Sequence, residues 1–294
     1  MKVTRLPLPP RAHPNAGSYG TSLVRIPDTT SLIMSLPSGG ASTPWCVVDV
    51  VSGDVRRGVG MPGDLRAVLH ADGEPPWALA TYGLGRLHFE PKPRVTDVVR
   101  KGIGKYHTTL IRVDDELLGI GHRDRQTLHL VSAADGTPVR RIKVRGPHLA
   151  YRLANGLLRV VGVFEGEATD LDTTTRRVTA RHPLPEGTSA FHHGDTLLVL
   201  RGEFAVLDAE TFAVRRVGPV PEDAVEIAGV DRDGRIVVGT TSGFVLVDPD
   251  SFEVLDRFTL PELIDGVGLL SEHNTAGVLM LDLDGDDALH VVRW

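Results

Sequence analysis

A unit of about 40 residues recurs along this chain, and that period constrains its fold more than any other feature. The clearest copy runs from Ala224 to Leu263. It reads Ala224-Val-Glu-Ile-Ala, an Asp233-Gly234 turn, Arg235-Ile-Val-Val-Gly, Thr241-Ser-Gly, Phe244-Val-Leu-Val-Asp, Pro249-Asp250, and Phe252-Glu-Val-Leu-Asp-Arg-Phe-Thr-Leu-Pro261. Short runs rich in Val, Ile, Leu and Phe, each closed by Gly, Asp, Pro or Ser, predict four consecutive antiparallel strands joined by hairpins. Such a unit cannot bury its own faces, so neighbouring copies must stack.

The Pro or Gly that ends each fourth strand marks the repeat at Pro62, Gly104, Pro147, Pro185, Pro221 and Pro261, with successive spacings of 42, 43, 38, 36 and 40 residues. Four strands per 40 residues is the signature of a propeller blade. After Pro261 only three strands remain, over Val267–Leu270, Ala276–Leu283 and Ala288–Trp294. The missing fourth is supplied by Lys2-Val-Thr-Arg-Leu-Pro-Leu-Pro9, which matches Arg177-Val-Thr-Ala-Arg-His-Pro-Leu-Pro185 in pattern. The expectation is an all-β, seven-bladed β-propeller with four antiparallel strands per blade, its ring closed by the N-terminal strand completing the C-terminal blade. A single domain spans 1–294, with blades near 18–62, 63–104, 105–147, 148–185, 186–221, 222–261 and 262–294 plus 1–9. No helix is expected. The first blade carries extra length at Pro10–Gly20 and in the loop Pro37–Pro44.

Composition narrows the setting. No apolar run approaches the roughly 18 residues needed to span a bilayer, and the proline-rich start has no apolar signal core. The single cysteine, Cys46, allows no internal disulfide, which suits a reducing compartment. A cytoplasmic monomer is expected. With a net charge of −6 and pI near 6.0, the chain has no global attraction for phosphate, so neither nucleic acid nor membrane is expected as a partner. The arginine pairs at 56 and 57, 140 and 141, 176 and 177, and 215 and 216 fall on the outermost strands, where charge protects an exposed sheet edge.

The segments Phe204-Ala-Val-Leu-Asp-Ala-Glu-Thr-Phe-Ala-Val-Arg-Arg-Val-Gly-Pro-Val-Pro221 and Phe244-Val-Leu-Val-Asp-Pro-Asp-Ser-Phe-Glu-Val-Leu-Asp resemble the repeat of the YVTN and quinoprotein-like seven-bladed β-propellers. In that repeat a strand ending in Val-x-Asp, a Thr or Ser turn and a Val-rich strand ending at Pro recur. The Tyr-Val-Thr-Asn tetrad and the Trp docking motifs are absent. The resemblance implies the fold and transfers no catalytic residue.

In a propeller the innermost strands line a central channel, and the turns leading into them lie on one face. Placing each innermost strand by its anchor sets Ser18 and Tyr19, Asp64, His107, His148, Thr188 and Ser189, Asp223 and Asp265 around one channel mouth, with His122 on the same face. His107 and His148 are the candidate catalytic pair. Tyr19, Asp64, His107, His122, His148, Ser189, Asp223 and Asp265 are the candidate ligand-binding set. Two imidazoles beside carboxylates could hold a divalent cation such as zinc or manganese, or provide a general base beside an acid. The plainer explanation is that polar residues line such a mouth because it faces water.

Other motifs are structural by pattern. Asp282-Leu-Asp-Gly-Asp-Asp287 begins like a calcium loop, but position twelve is Arg293 and a hairpin turn is required there. His192-His193 are adjacent strand residues pointing opposite ways. Cys46 sits in the apolar run Pro44-Trp-Cys-Val-Val-Asp49 and reads as a small buried hydrophobe. No Gly-x-Ser-x-Gly elbow or glycine-rich phosphate loop occurs. Two function classes follow. One is a binding scaffold for a protein, peptide or small ligand on the channel face. The other is a metal-assisted or His/carboxylate-dependent lyase or hydrolase acting on a small molecule.

Overall fold

The structure is a computed structural model and describes residues 1–8, 22–26, 29–35, 45–71, 74–100, 103, 107–122, 125–261, 264, 266–280 and 288–294. Its strands follow the repeat. After β1 (Lys2–Pro7) come β2 (Ser22–Arg25), β3 (Ser31–Ser35), β4 (Trp45–Asp49) and β5 (Val55–Gly58). Next are β6 (Leu65–Ala71), β7 (Glu74–Ala80), β8 (Gly83–His88) and β9 (Arg94–Val99), then β10 (His107–Arg112), β11 (Leu117–His122), β12 (Thr127–Ser132) and β13 (Pro138–Lys143). They are followed by β14 (Leu149–Arg152), β15 (Leu158–Gly162), β16 (Glu167–Asp172) and β17 (Arg177–Pro183), then β18 (Ser189–His193), β19 (Thr196–Leu200), β20 (Phe204–Asp208) and β21 (Val214–Gly218). Last are β22 (Ala224–Val230), β23 (Ile236–Thr240), β24 (Gly243–Val247), β25 (Val254–Thr259), β26 (Gly266–Leu270), β27 (Thr275–Met280) and β28 (Ala288–Arg293). They form seven four-stranded antiparallel sheets, each in sequence order except the last, which runs β1-β28-β27-β26. This is the seven-bladed β-propeller that the spacing predicts. Lys2 through Pro7 pair with Arg293 through Ala288, so the N-terminal strand does complete the C-terminal sheet.

The expectation of no helix misses one feature, a single 3₁₀ turn at Ser271–His273. It is closed by Asn274 in the left-handed region (φ 45°), whose N–H donates to Ser271 O. No helix among the described residues is long and apolar enough to cross a membrane.

The Asp that ends the third strand has a physical reason. Asp172 accepts hydrogen bonds from the N–H groups of Thr174 and Thr175, and Asp208 from those of Glu210 and Thr211. The carboxylate folds the following residues into a turn, and Asp49 does the same with Val51 and Ser52. The bonded N–H groups hold Asp172 and Asp208 below the usual carboxylate range, with the N–H of Thr175 and of Thr211 as the largest cause in each. The residue that leaves the turn takes positive φ at Arg176 (56°), Phe212 (59°) and Phe252 (61°). A bulge then re-registers the fourth strand in the sheets ending at β13, β17, β21 and β25. Gly218 shows why a small residue ends one such strand: a Cβ there would lie 2.0 Å from the Phe252 ring.

Contacts gather the chain into two units. The first takes residues 1–101, 228–249 and 254–294. Within it, Ile33, Trp45 and Val47 pack against Leu65, Ala78 and Leu87. Met34 and Cys46 pack against Leu270, Leu289 and Val291, and Phe244 and Leu246 against Leu269, Val278 and Val292. Cys46 is fully buried, and burial pushes its thiol up to about 12, so it is the inert small hydrophobe that its strand predicts. The second unit takes residues 102–227 and 250–253. There Leu117, Leu128 and Leu130 pack against Leu158, Val160 and Leu171, and Val161 and Ala168 against Leu197, Val199 and Leu207. In both units the residues that pack in these clusters are mostly apolar, as stacked blades require.

Candidate functional site

Five of the predicted site residues, Asp64, His107, His148, Ser189 and Asp223, occupy one repeated position, the start of the first strand of a sheet. Asp64 immediately precedes β6. Its backbone carbonyl accepts the N–H of Thr81 at 2.9 Å, while its half-buried carboxylate lies 3.9 Å from the Arg66 guanidinium. His148 immediately precedes β14, and its N–H donates to Val161 O at 2.8 Å. The His148 ring meets the edge of Phe164 with centroids 5.5 Å apart. Two residues earlier, Gly146 has φ +41°, and a Cβ there would fall 1.6 Å from Glu165 Oε2. The Glu165 carboxylate therefore lies over Gly146, in the turn that precedes β14. Phe164 and Glu165 lie in the turn between β15 and β16, which sequence reasoning did not place near the residues that lead into β14.

Ser189 opens β18 and is buried. Its Oγ accepts the N–H of Ile227 at 3.1 Å, which commits that hydroxyl to joining two strands. Thr188 beside it is exposed. Asp223, half-buried, lies in the turn before β22. His107 opens β10 with its backbone opposite His122, the last residue of β11. His122, a ligand candidate on the channel face by sequence, is 1% exposed, because β11 extends through it and it pairs on both sides, with His107 and with Thr127. Its ring stacks on that of His129, centroids 4.0 Å apart, and His129 was not singled out by the sequence. Ser18, Tyr19 and Asp265 lie outside the described residues, as do the loops 10–20 and 37–44 and the Asp282–Asp287 segment. Among the described residues, no three His, Cys, Asp or Glu side chains are gathered as a metal ion would require.

Two buried polar networks lie away from the strand starts. In the second unit, Arg159 of β15 forms a bidentate pair with Asp170 of β16, Nε to Oδ1 at 2.7 Å and NH2 to Oδ2 at 2.9 Å. Both side chains are almost fully buried, at 3% and 6% exposure. His182 of β17 donates from Nε2 to Asp170 Oδ2 at 2.8 Å. The same guanidinium donates to Ala209 O at 2.9 Å and to Glu210 O, and lies over the Phe212 ring, tying β15 to the turn after β20. Tyr151 donates to the same Ala209 carbonyl at 2.7 Å and stacks on His192 at 3.9 Å. Burial pushes the Asp170 carboxyl up, but the hydrogen bonds from Arg159 and His182 outweigh it and leave it below the usual range. Burial pushes the Tyr151 hydroxyl up to about 12. All the polar atoms that meet here are engaged with protein, so the network acts as a fastening.

In the first unit, Asp231 plays a similar part. Its Oδ1 accepts the N–H groups of Asp233 and Arg235, and its Oδ2 accepts Arg235 Nε at 2.7 Å and Trp294 Nε1 at 2.9 Å. Asn274 Nδ2 reaches Asp233 at 2.8 Å.

No family model and no curated protein matches this chain. Solved structures do. A streptogramin B lyase structure superposes with a TM-score of 0.69 at 11% identity, covering 99% of this chain and 97% of the other. The WD40 domain of Neurospora crassa Pan2 superposes at 0.70 with 10% identity, covering 98% and 95%. At such identities the likeness establishes the propeller fold alone, and one of these proteins is titled a lyase while the other is a WD40 domain.

Proposed function

We propose that this chain is a binding scaffold that takes a protein, peptide or small ligand at the strand starts, with Tyr19, Asp64, His107, His122, His148, Ser189, Asp223 and Asp265 as the candidate contacts. One observation carries the reading. Structurally equivalent starts carry chemically unlike side chains, the acid Asp64, the imidazole of His148 and the acid Asp223, on a frame whose turns and bulges repeat from sheet to sheet. Loops that vary on a constant frame are how scaffolds display a recognition surface. The test is a thermal-shift and calorimetric screen of a peptide and metabolite library against the wild-type chain and the triple variant Asp64→Ala/His148→Ala/Asp223→Ala. Ligands that bind the first should lose at least about tenfold in affinity for the second, or 1.4 kcal/mol. Hits that bind both equally would overturn the reading.

A second reading is a lyase or hydrolase for a small molecule, with His107 and His148 as the catalytic pair and a divalent ion or a carboxylate beside them. Its support is the Glu165 carboxylate over Gly146, two residues before His148, together with the fold shared with a streptogramin B lyase. Turnover that vanishes in His148→Ala while the melting temperature holds would favour it over the scaffold.

A further inference from the structure

The sheets differ in what their last strand offers to solvent. In β13, Val139, Arg140, Arg141 and Lys143 are exposed and Ile142 is buried between them, so the strand carries three cations and no acid. On β5, β17 and β21, arginines are bound to carboxylates: Arg56 to Glu90, Arg181 to Glu167, Arg215 to Asp195 and Asp208, and Arg216 to Asp250. Among the described residues, no carboxylate lies within ion-pair distance of Arg140, Arg141 or Lys143. β13 is also an edge of its sheet, and just beyond it the N–H of Val144 donates to Gln126 O. Backbone groups of an antiparallel strand point alternately at the partner and away from it. Ile142 and Arg140 therefore turn theirs to β12, and Lys143 and Arg141 turn theirs outward. The Lys143 carbonyl agrees with this, since it accepts Arg181 of β17 at 3.1 Å. Being two apart, the Arg141 and Lys143 side chains share one face, opposite His129 and Thr127 in the register.

We propose that the outer edge of β13 is a docking site for an acidic extended peptide, one with Asp or Glu at alternate positions, which joins this sheet as a fifth strand. Strand addition takes its affinity from main-chain hydrogen bonds and its specificity from alternate side chains. A strand laid along this edge meets the outward backbone of Arg141 and sets one of its faces against the Arg141 and Lys143 side chains. Opposite charges across such a pair favour it and like charges oppose it. The cations that keep the basic outer strands of other copies from pairing here thus select a partner of opposite charge. The absence of an internal acid partner leaves these cations free for that role, which the bound arginines of β17 and β21 are not. This proposal does not rest on the scaffold reading, because the strand starts belong to the first strand of each sheet and β13 is the last of its own.

The test is fluorescence anisotropy of a labelled decapeptide of alternating Thr and Glu, titrated with the full-length chain at low salt. The expected result is saturable binding of one peptide per chain. Affinity should fall by about tenfold in Arg141→Glu/Lys143→Glu and hold in Arg57→Glu, which changes an exposed arginine on β5. A fully N-methylated form of the same peptide keeps the charge and loses the backbone donors, so it should not bind. A decapeptide of alternating Thr and Lys should bind the double variant and not the wild type, a gain that an unfolded variant could not produce. No binding of the Thr/Glu peptide to the wild type, or equal binding to the wild type and the double variant, would overturn the proposal. Equal binding of the N-methylated peptide would overturn it as well, since it would mean attraction between charges without strand pairing.

Discussion

Two joints between neighbouring sheets solve the same problem with different chemistry. In the second unit, the sheet of Arg159 and Asp170 is fastened to the turn after β20 by an ion pair buried on both sides. In the first, the sheet of Asp231 is fastened to the last residue of the chain through Trp294, with Arg235 still 26% exposed. Both carboxylates are buried, Asp170 at 6% and Asp231 at 0% exposure, but Arg159 is buried with its partner at 3% while Arg235 keeps contact with water. Asp231 also divides its bonding over four donors, two of them backbone N–H groups. A buried pair costs more when half of it is removed than when it was never there, because the survivor is an uncompensated charge. The Arg159 joint should therefore be brittle and the Trp294 joint tolerant.

The largest effect should come from removing the support beneath the tolerant joint. Deleting residues 1–7 takes away β1, six cross-strand pairs with the strand that leads to Trp294. At about 1 kcal/mol net per ladder hydrogen bond, the chain should lose roughly 5 kcal/mol. A melting temperature unchanged by the deletion would mean that β28 is secure without its partner.

Next is Asp170→Ala, which strands Arg159 in the interior and should cost about 4 kcal/mol by chemical denaturation. It carries a pH signature as well. Because the folded Asp170 carboxyl lies below its unfolded value, its contribution is complete above the ordinary carboxylate range, near 3.9, and is lost as pH falls through the folded value. Asp170→Ala should thus remove part of the acid sensitivity of the wild type. A variant with an unchanged acid limb would show that this carboxylate does not control it.

Trp294→Phe should be the mildest, at about 1.5 kcal/mol, since it removes one hydrogen bond to a charged acceptor and leaves Asp231 with three. If its denaturation midpoint falls further than that of Asp170→Ala, the contrast between the joints is reversed.

The fold was legible because its determinants are local and repeated. The Asp at the end of the third strand caps its own turn within three residues, and the deficit of one strand after Pro261 could be counted against the surplus before Pro9. The joints were not legible, because Arg159, Asp170 and Ala209 come from three strands or turns and no local pattern links them. A signal did exist in Leu158-Arg-Val-Val and Ala168-Thr-Asp-Leu, where a charge interrupts each apolar strand and the two charges oppose each other once register is known. The burial of His122 was not legible for a similar reason: it follows from pairing on both sides, with His107 and with Thr127, which no local pattern announces.

The pairing of β1 with β28 also sets a timetable. β1 is synthesised before the other strands and its partner β28 after them, so at about 5–20 residues per second the strand waits roughly 15–60 s for its place to exist. Once β26–β28 have been made, and until β1 docks, the C-terminal sheet has a vacant edge that accepts the sequence Lys2–Pro7 from any copy of the chain, its own or that of a neighbour on the same messenger. Correct assembly is then a contest between a tethered strand, favoured by its high local concentration, and free ones, favoured only by crowding. Expression level, more than temperature, would govern how many molecules exchange strands.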